Sequence, residues 1–260
     1  MFNADRILAA DLVKQLVLRA EIGSTNDLAM ELVAAGQLRT PALVLAERQM
    51  AGRGRGANRW WSAAGALTFS LVLDPAQINL PAERWPPISL ATAVAIVTAL
   101  EPLAAGVRFG VKWPNDVHAG ERKIAGILVE IPNQAQLAQR RIIVGVGLNV
   151  NNSWHTAPPE LQAIGAALTD LTGQTHDATD VLLAVLTEID DRIDQLGRSD
   201  ARLADAWQSL CVLRGRHVEL DLGQRLVAGP CSGIDADGAL VVETPTGSQR
   251  IFGGAVRAIG

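Results

Sequence analysis

The apolar runs of this chain come in two textures, and the switch between them near residue 212 limits the fold more than any other feature. Before it, runs of strand length at 16–22, 42–48, 67–73, 107–111, 124–131 and 142–150 are bounded by turn residues. Helical spacing appears only at intervals: residues 5–15, a helix capped by Ser24 or Thr25, and the apolar stretch 88–100. A helical block follows at 181–196 and 201–210. Beyond Cys211 the β-like runs shorten to 217–222, 226–234, 239–243 and 250–252, cut by Gly223, Asp237-Gly238 and Thr246-Gly247. Strands joined by short turns around a few helices do not make a βαβ array. The expected architecture is α+β: a mixed β-sheet domain flanked by helices over residues 1–211, then a small β-barrel over 212–260.

Composition narrows the function. At 260 residues, 48% hydrophobic and 19% charged, the chain is globular, with room for a large core and a small second domain. A net charge of -4 argues against a general nucleic-acid binder. Neither Cys211 nor Cys231 lies in a CxxC pair, so both read as reduced thiols of a cytoplasmic protein. Charges at Asp5 and Arg6 come too early for a signal peptide, and 88–100 is too short to span a bilayer, so no membrane partner is expected. There is no HExxH, no zinc-spaced Cys/His cluster, and no Gx[ST]xG elbow to partner the four scattered histidines.

Only three lysines occur against twenty arginines, and two of them, Lys112 and Lys123, bracket the dense run VKWPNDVHAGERKIAGILVE. A lysine ammonium is a compact, mobile point charge suited to an oxygen that gains negative charge in a reaction. After Pro114, Asn115 and Asp116 can present oxygens to a hydroxyl, an amide or a hydrated Mg²⁺, or can form an ordinary Asx turn. On a regular strand, Lys123, Ala125, Ile127 and Val129 share one face and Ile124, Gly126, Leu128 and Glu130 the other. Lys123 at the strand's start reaches into a pocket or points to water. The run from Gln49 to Gly56, with Gly52, Arg53, Gly54 and Arg55, is either an anion cradle or a solvated loop, and is neither a Walker A loop nor a GxGxxG fingerprint. Gly145 and Gly147 clear one strand face for a flat group or a packed helix, with Asn149 near its end. Ser24, Thr25 and Asn26 bind a polar ligand or simply cap a helix. With no enzyme nucleophile in view, activation of a carboxylate by a nucleotide is favoured, since positioning and charge stabilisation supply most of that catalysis.

In their order along the chain, Ser24-Thr25-Asn26, Gln49 with Gly52-Arg53-Gly54-Arg55 and Trp60, KWPND, RKIAGILVE and GVGLNV closely resemble the catalytic domain of biotin–protein ligases. Gly233-Ile234-Asp235, Gly238-Ala239-Leu240 and Gly253-Gly254 resemble that family's C-terminal barrel. The resemblance implies a class II synthetase-like (biotin–lipoyl ligase-like) domain and a Src-homology-3-like barrel. It implies ATP and biotin as substrates with Mg²⁺, a biotinyl-5'-AMP intermediate, and transfer to a lysine of a biotin carboxyl carrier protein of the acetyl-CoA carboxylase type. By the same resemblance Ser24, Thr25, Asn26 and Gln49 line the biotin pocket with Gly126 and Leu128 on its floor. The Gly52–Arg55 loop closes over biotin and the adenylate through Arg53 and Arg55. Lys123 and Arg55 are its catalytic cations. Trp60, Lys112, Asn115, Asp116 and Asn149 serve the nucleotide, with Asp116 toward Mg²⁺. After Arg55 the chain reads Gly56-Ala57-Asn58-Arg59, which departs from many bacterial members and looks more like the eukaryotic loop. The stretch before Ser24 is too short for a winged helix-turn-helix, so no operator binding is expected, and the protein is a monomer or homodimer. The rivals are a lipoate–protein ligase or octanoyltransferase of related fold, and a nucleic-acid-binding module built on Gly52 to Arg59 with Trp60-Trp61.

Overall fold

Helix α3 (Ile88–Leu100) is apolar on every side, so it is stable only if covered all round. In the computed structural model, which describes residues 2–132 and 140–260, it lies between a β-sheet and helix α6 (Ala178–Gly197), which follows the short helices α4 (Pro159–Gln162) and α5 (Leu168–Thr172). The sheet has seven strands: β1 (Gln15–Ile22), β2 (Ala42–Gln49), β3 (Ala66–Leu73), β4 (Phe109–Lys112), β5 (Asp116–Ala119), β6 (Arg122–Glu130) and β7 (Ile142–Asn149). Their order is β1-β2-β3-β7-β6-β5-β4, with β1 and β2 parallel and the other pairings antiparallel. This is the mixed sheet expected.

Alternation along the strands builds two unequal faces. Leu43, Leu45, Phe69, Leu71, Val144 and Val146 join the large core with α3 and α6. On the opposite face Ala42, Val44, Val72 and Ile143 meet Ala29 and Val33 of helix α2 (Thr25–Ala34) in a smaller core. One ten-residue helix cannot cover seven strands. It reaches β2, β3 and part of β7, and leaves the middle of that face, over β7 and β6, open. The cavity described below occupies this uncovered stretch.

Three local readings change. Helix α1 (Ala4–Ala9) is shorter than the expected 5–15, because Asp11 takes a positive φ of 56° and the chain turns toward β1. Residues Trp113 to Asn115 turn sharply, but Asp116 already belongs to β5, a strand not expected from sequence. The C-terminal unit also gains a strand. Its five strands, β8 (His217–Asp221), β9 (Leu226–Ile234), β10 (Leu240–Thr244), β11 (Gly247–Ile251) and β12 (Ala255–Ile259), pair antiparallel in the order β11-β10-β9-β8-β12. Among the described residues no pairing joins β11 to β12, so the barrel stays open on that side.

Helix α7 (Ala201–Leu210) leads into this unit, and Val212 donates its N–H to the Val111 carbonyl, covering the β4 edge of the large sheet. Two buried indoles hold the units together: Trp113 Nε1 donates to the Gly238 carbonyl at 3.1 Å and Trp207 Nε1 to that of Asp235 at 2.9 Å. Gly238 packs so closely that a Cβ there would lie 2.9 Å from Pro87. Cys211 and Cys231, far apart in sequence, are both buried free thiols at this junction, and their mutual interaction lowers the Cys211 pKa while it and burial raise that of Cys231. No helix is long and apolar enough to cross a membrane among the described residues.

Candidate functional site

The strand register lines up the small residues that the sequence scatters. Ser70 pairs with Gly145, and Gly145 with Leu128. One row over, Thr68 pairs with Gly147, Gly147 with Gly126, and Gly126 with Asp116. These rows floor a cavity of about 540 Å³. Its wall includes Ser24, Thr25, Asn26 and Gln49 at one end and Asn115, Asp116 and Lys123 at the other, with Arg53, Gly54, Arg55 and Trp60 from the long loop.

At the α2 end Ser24 acts as the helix cap, its Oγ accepting from the Asp27 N–H at 3.4 Å. Gln49 Oε1 accepts from both the N–H (2.7 Å) and the hydroxyl (3.1 Å) of Thr25. Ser70 Oγ contacts Thr25 Oγ1 at 2.8 Å and also Asn26 Oδ1. Asn26 Nδ2 donates to the Leu128 carbonyl (3.2 Å) and to Glu130 (2.8 Å), which fixes the orientation of its amide. Two hydroxyl protons must therefore serve three oxygen–oxygen contacts, two of which end on acceptor-only amide oxygens. The cluster is short of protons, and a ligand presenting N–H donors satisfies it.

At the other end Lys123 Nζ lies 2.6 Å from Asp116 Oδ1. It stands over Gly126, where a Cβ would fall 2.9 Å from Nζ, and 5.7 Å from the Trp60 ring centroid. Regular alternation puts Lys123 and Gly126 on opposite faces; the structure puts them on one. The cause is a β-bulge: Val117 pairs with Ala125 and His118 with Lys123, leaving Ile124 without a partner. The backbone of Lys123 is drawn sideways, donating to the Ile164 carbonyl and accepting from the Ala166 N–H, both at 2.9 Å.

The long loop folds back on itself. Gly54 N–H donates to the Asn58 carbonyl and Trp60 N–H to that of Gly52, at 2.8 and 2.9 Å. A Cβ on Gly52 would sit 2.8 Å from the Trp60 carbonyl, so this glycine serves the loop's own packing. The flat group lying on the glycine face is the protein's own Trp60: a Cβ on Gly147 would fall 2.4 Å from its indole. The Asn26 carboxamide likewise fills the space over Gly145. Arg53 is held by Glu130 through two bonds (3.0 and 2.6 Å) and by Asp27 at 2.8 Å, whereas Arg55 reaches the Gly254 carbonyl of the C-terminal unit.

Of the residues expected at a ligand, Gly52, Lys112 and Asn149 do not line the cavity. Lys112 ends β4, half-buried, opposite Asp116. Asn149 is fully buried on the same strand face as Gly145 and Gly147, its Oδ1 accepting from Asn152 at 2.9 Å and its Nδ2 unpartnered. Buried His118 has its pKa lowered to about 4 by desolvation and then by the Lys112 charge, so it is neutral near pH 7. The structure adds Ser70, Glu130 and the T-shaped pair Trp61–Trp154 (centroids 5.0 Å apart) to the site's surroundings. Two hydroxyl residues, Thr68 and Ser70, on one face of the apolar run ALTFSLVL, and a carboxylate on the Gly126–Leu128 face, are the signals the sequence carries.

The likeness found in comparisons covers both units. Residues 19–149 match the model of the biotin/lipoate A/B protein ligase family, and residues 214–256 that of the biotin protein ligase C-terminal domain. A biotin–[acetyl-CoA-carboxylase] ligase of Mycobacterium tuberculosis is 33% identical over 233 residues, covering 88% of this chain and 84% of the relative. The bifunctional ligase/repressor BirA of Bacillus subtilis is 31% identical over 241 residues, 92% of this chain and 72% of the relative. Among solved structures, the biotin protein ligase from Aquifex aeolicus in complex with biotin and ATP superposes with a TM-score of 0.80 at 28% identity, covering 94% of this chain and 97% of that one. Matched across its sheet and its C-terminal unit alike, the chain belongs to the biotin protein ligase family of enzymes.

Proposed function

We propose that this protein forms biotinyl-5'-AMP from biotin and ATP and then transfers biotin to a lysine of a biotin carboxyl carrier protein, with residues 1–211 as the catalytic unit and 212–260 appended to it. One observation carries the reading: a single cavity has a proton-poor polar cluster at one end and the Lys123 ammonium at the other. Biotin's ureido ring offers N–H donors and its chain ends in a carboxylate, so it complements both ends. A lipoyl dithiolane has no N–H to give the cluster, which disfavours the lipoate alternative.

In the first step a biotin carboxylate oxygen bonds to the α-phosphorus of ATP, and the bond to the β-phosphate breaks, releasing pyrophosphate. Lys123, held by Asp116, offsets charge on the attacking and bridging oxygens. Arg55 supplies a second cation once it leaves the Gly254 carbonyl. In the second step the carrier lysine amine attacks the acyl carbon and AMP departs with the bonding electrons. Trp60 and the loop shield the anhydride from water.

Among the described residues no cluster of three acidic, histidine or cysteine side chains could hold a metal by itself. One cavity carboxylate, Asp116, fits Mg²⁺ that keeps its waters and the phosphates as its main ligands. Such an ion would neutralise phosphate charge. The test is incubation with ATP, Mg²⁺, a carrier domain and either biotin or lipoate, followed by mass spectrometry of the carrier. A biotin-sized gain on one lysine is expected, and a lipoyl-sized gain with no biotin-sized one would sink the reading.

A further inference from the structure

The two arginines of the long loop are held in very different ways. Glu130, at the end of β6, accepts from Arg53 Nη1 and Nη2 at 3.0 and 2.6 Å, a bidentate pair, and from Asn26 Nδ2 at 2.8 Å. Asp27, in the first turn of α2, takes Arg53 Nε at 2.8 Å. Arg55, two residues on, makes one bond, to a backbone carbonyl. A guanidinium already matched to two carboxylates loses both pairings if it moves to a phosphate. One held by a single carbonyl loses little.

We propose that Glu130 is a positioning residue that ties the loop, through Arg53, to Asn26 in the polar cluster, so that occupancy of the cluster and ordering of the loop are coupled. Arg53 is then the fixed anchor of the loop, and Arg55 its moving cation. The coupling follows from one carboxylate serving both partners. A ligand that displaces the Asn26 amide also shifts the group on which Arg53 rests, and a detached loop leaves Asn26 with a mobile acceptor. The proposal rests on the reading of the cavity as the biotin–adenylate site.

Trypsin cuts after arginine, and Arg53, Arg55 and Arg59 all lie in the loop, so limited proteolysis of the full chain reports loop order without reference to catalysis. Glu130→Gln, isosteric but uncharged, should be nicked in the loop about tenfold faster than the parent without ligand, and saturating biotin should protect it less. Its KM for biotin should rise about tenfold while its KM for ATP changes less than about twofold. Glu130→Asp should recover part of both effects, and Asp27→Asn, which removes only the Nε contact, should show a smaller one. Unchanged nicking with an unchanged biotin KM overturns the proposal. So does a fall in kcat and melting temperature with biotin KM unmoved, which marks a merely structural carboxylate. If the parent protein neither binds nor adenylates biotin, the cavity reading fails, and the nicking rate without ligand still decides whether Glu130 anchors the loop.

Discussion

Gly145→Ala tests the polar cluster with one methyl group. A Cβ there would lie 2.2 Å from Asn26 Oδ1, 2.8 Å from its Cγ and 2.9 Å from Nδ2. The backbone of β7 cannot yield, because Gly145 is paired with Ser70 on one side and Leu128 on the other. The Asn26 side chain must leave, losing its contacts with Ser70, the Leu128 carbonyl and Glu130. Neutral hydrogen bonds are worth about 1 kcal/mol each and a charged one about 1.5–3 kcal/mol, and water from the open cavity restores part of that. The expected net loss is about 2–3 kcal/mol, or ~30–150-fold in biotin affinity if the cluster must form to bind. Calorimetric titration with biotin measures it, with thermal unfolding as the control. Gly147→Ala is the contrast: its Cβ would fall 2.4 Å from the Trp60 indole, a loop side chain that can move. It should leave biotin affinity within about threefold and weaken nucleotide binding instead. If Gly145→Ala binds biotin like the parent, or if Gly147→Ala damages biotin binding equally, the ligand's N–H groups do not meet this cluster.

Lys123→Ala should slow pyrophosphate release by about 10²–10³ and leave the fold intact, because the side chain is one-third exposed at 33%; normal adenylation would remove it from the mechanism. Arg55→Gly should let biotinyl-AMP escape faster in a trapping assay, and an unchanged escape rate would deny the loop its role as a lid. His118 keeps its proton off in the folded state down to about pH 4, whereas the unfolded chain takes one up near 6.5. Stability must therefore fall as pH drops through that window, by about 3 kcal/mol at 1.36 kcal/mol per pH unit. Urea unfolding of His118→Asn should show a shallower decline between pH 6.5 and 4, and parallel curves for both proteins would contradict the shift.

Much of the molecule is legible along the chain. Helix α3 falls where its apolar run does, the strands at 42–49, 66–73 and 142–149 lie within a residue or so of their expected bounds, and the GRGR, KWPND and GVGLNV motifs all meet around one open face of the sheet. These depend on local periodicity, turn chemistry and motif order, which sequence carries directly. Tertiary structure decided the rest. The side on which Lys123 stands depends on a bulge drawn out by residues 164 and 166, and a bulge belongs to a pair of strands, not to one. The glycine face is clear in sequence, yet its occupants, Trp60 and Asn26, arrive from other parts of the chain. Arg53 and Arg55 are alike as motif letters and unlike as groups, because their partners lie 77 and 199 residues away. Asn149 is a strand-end polar residue in sequence and fully buried in the fold. The sequence thus determines which elements form and which residue types they carry. Which side chains face one another is set by register and by contacts between distant segments, and no local pattern encodes those.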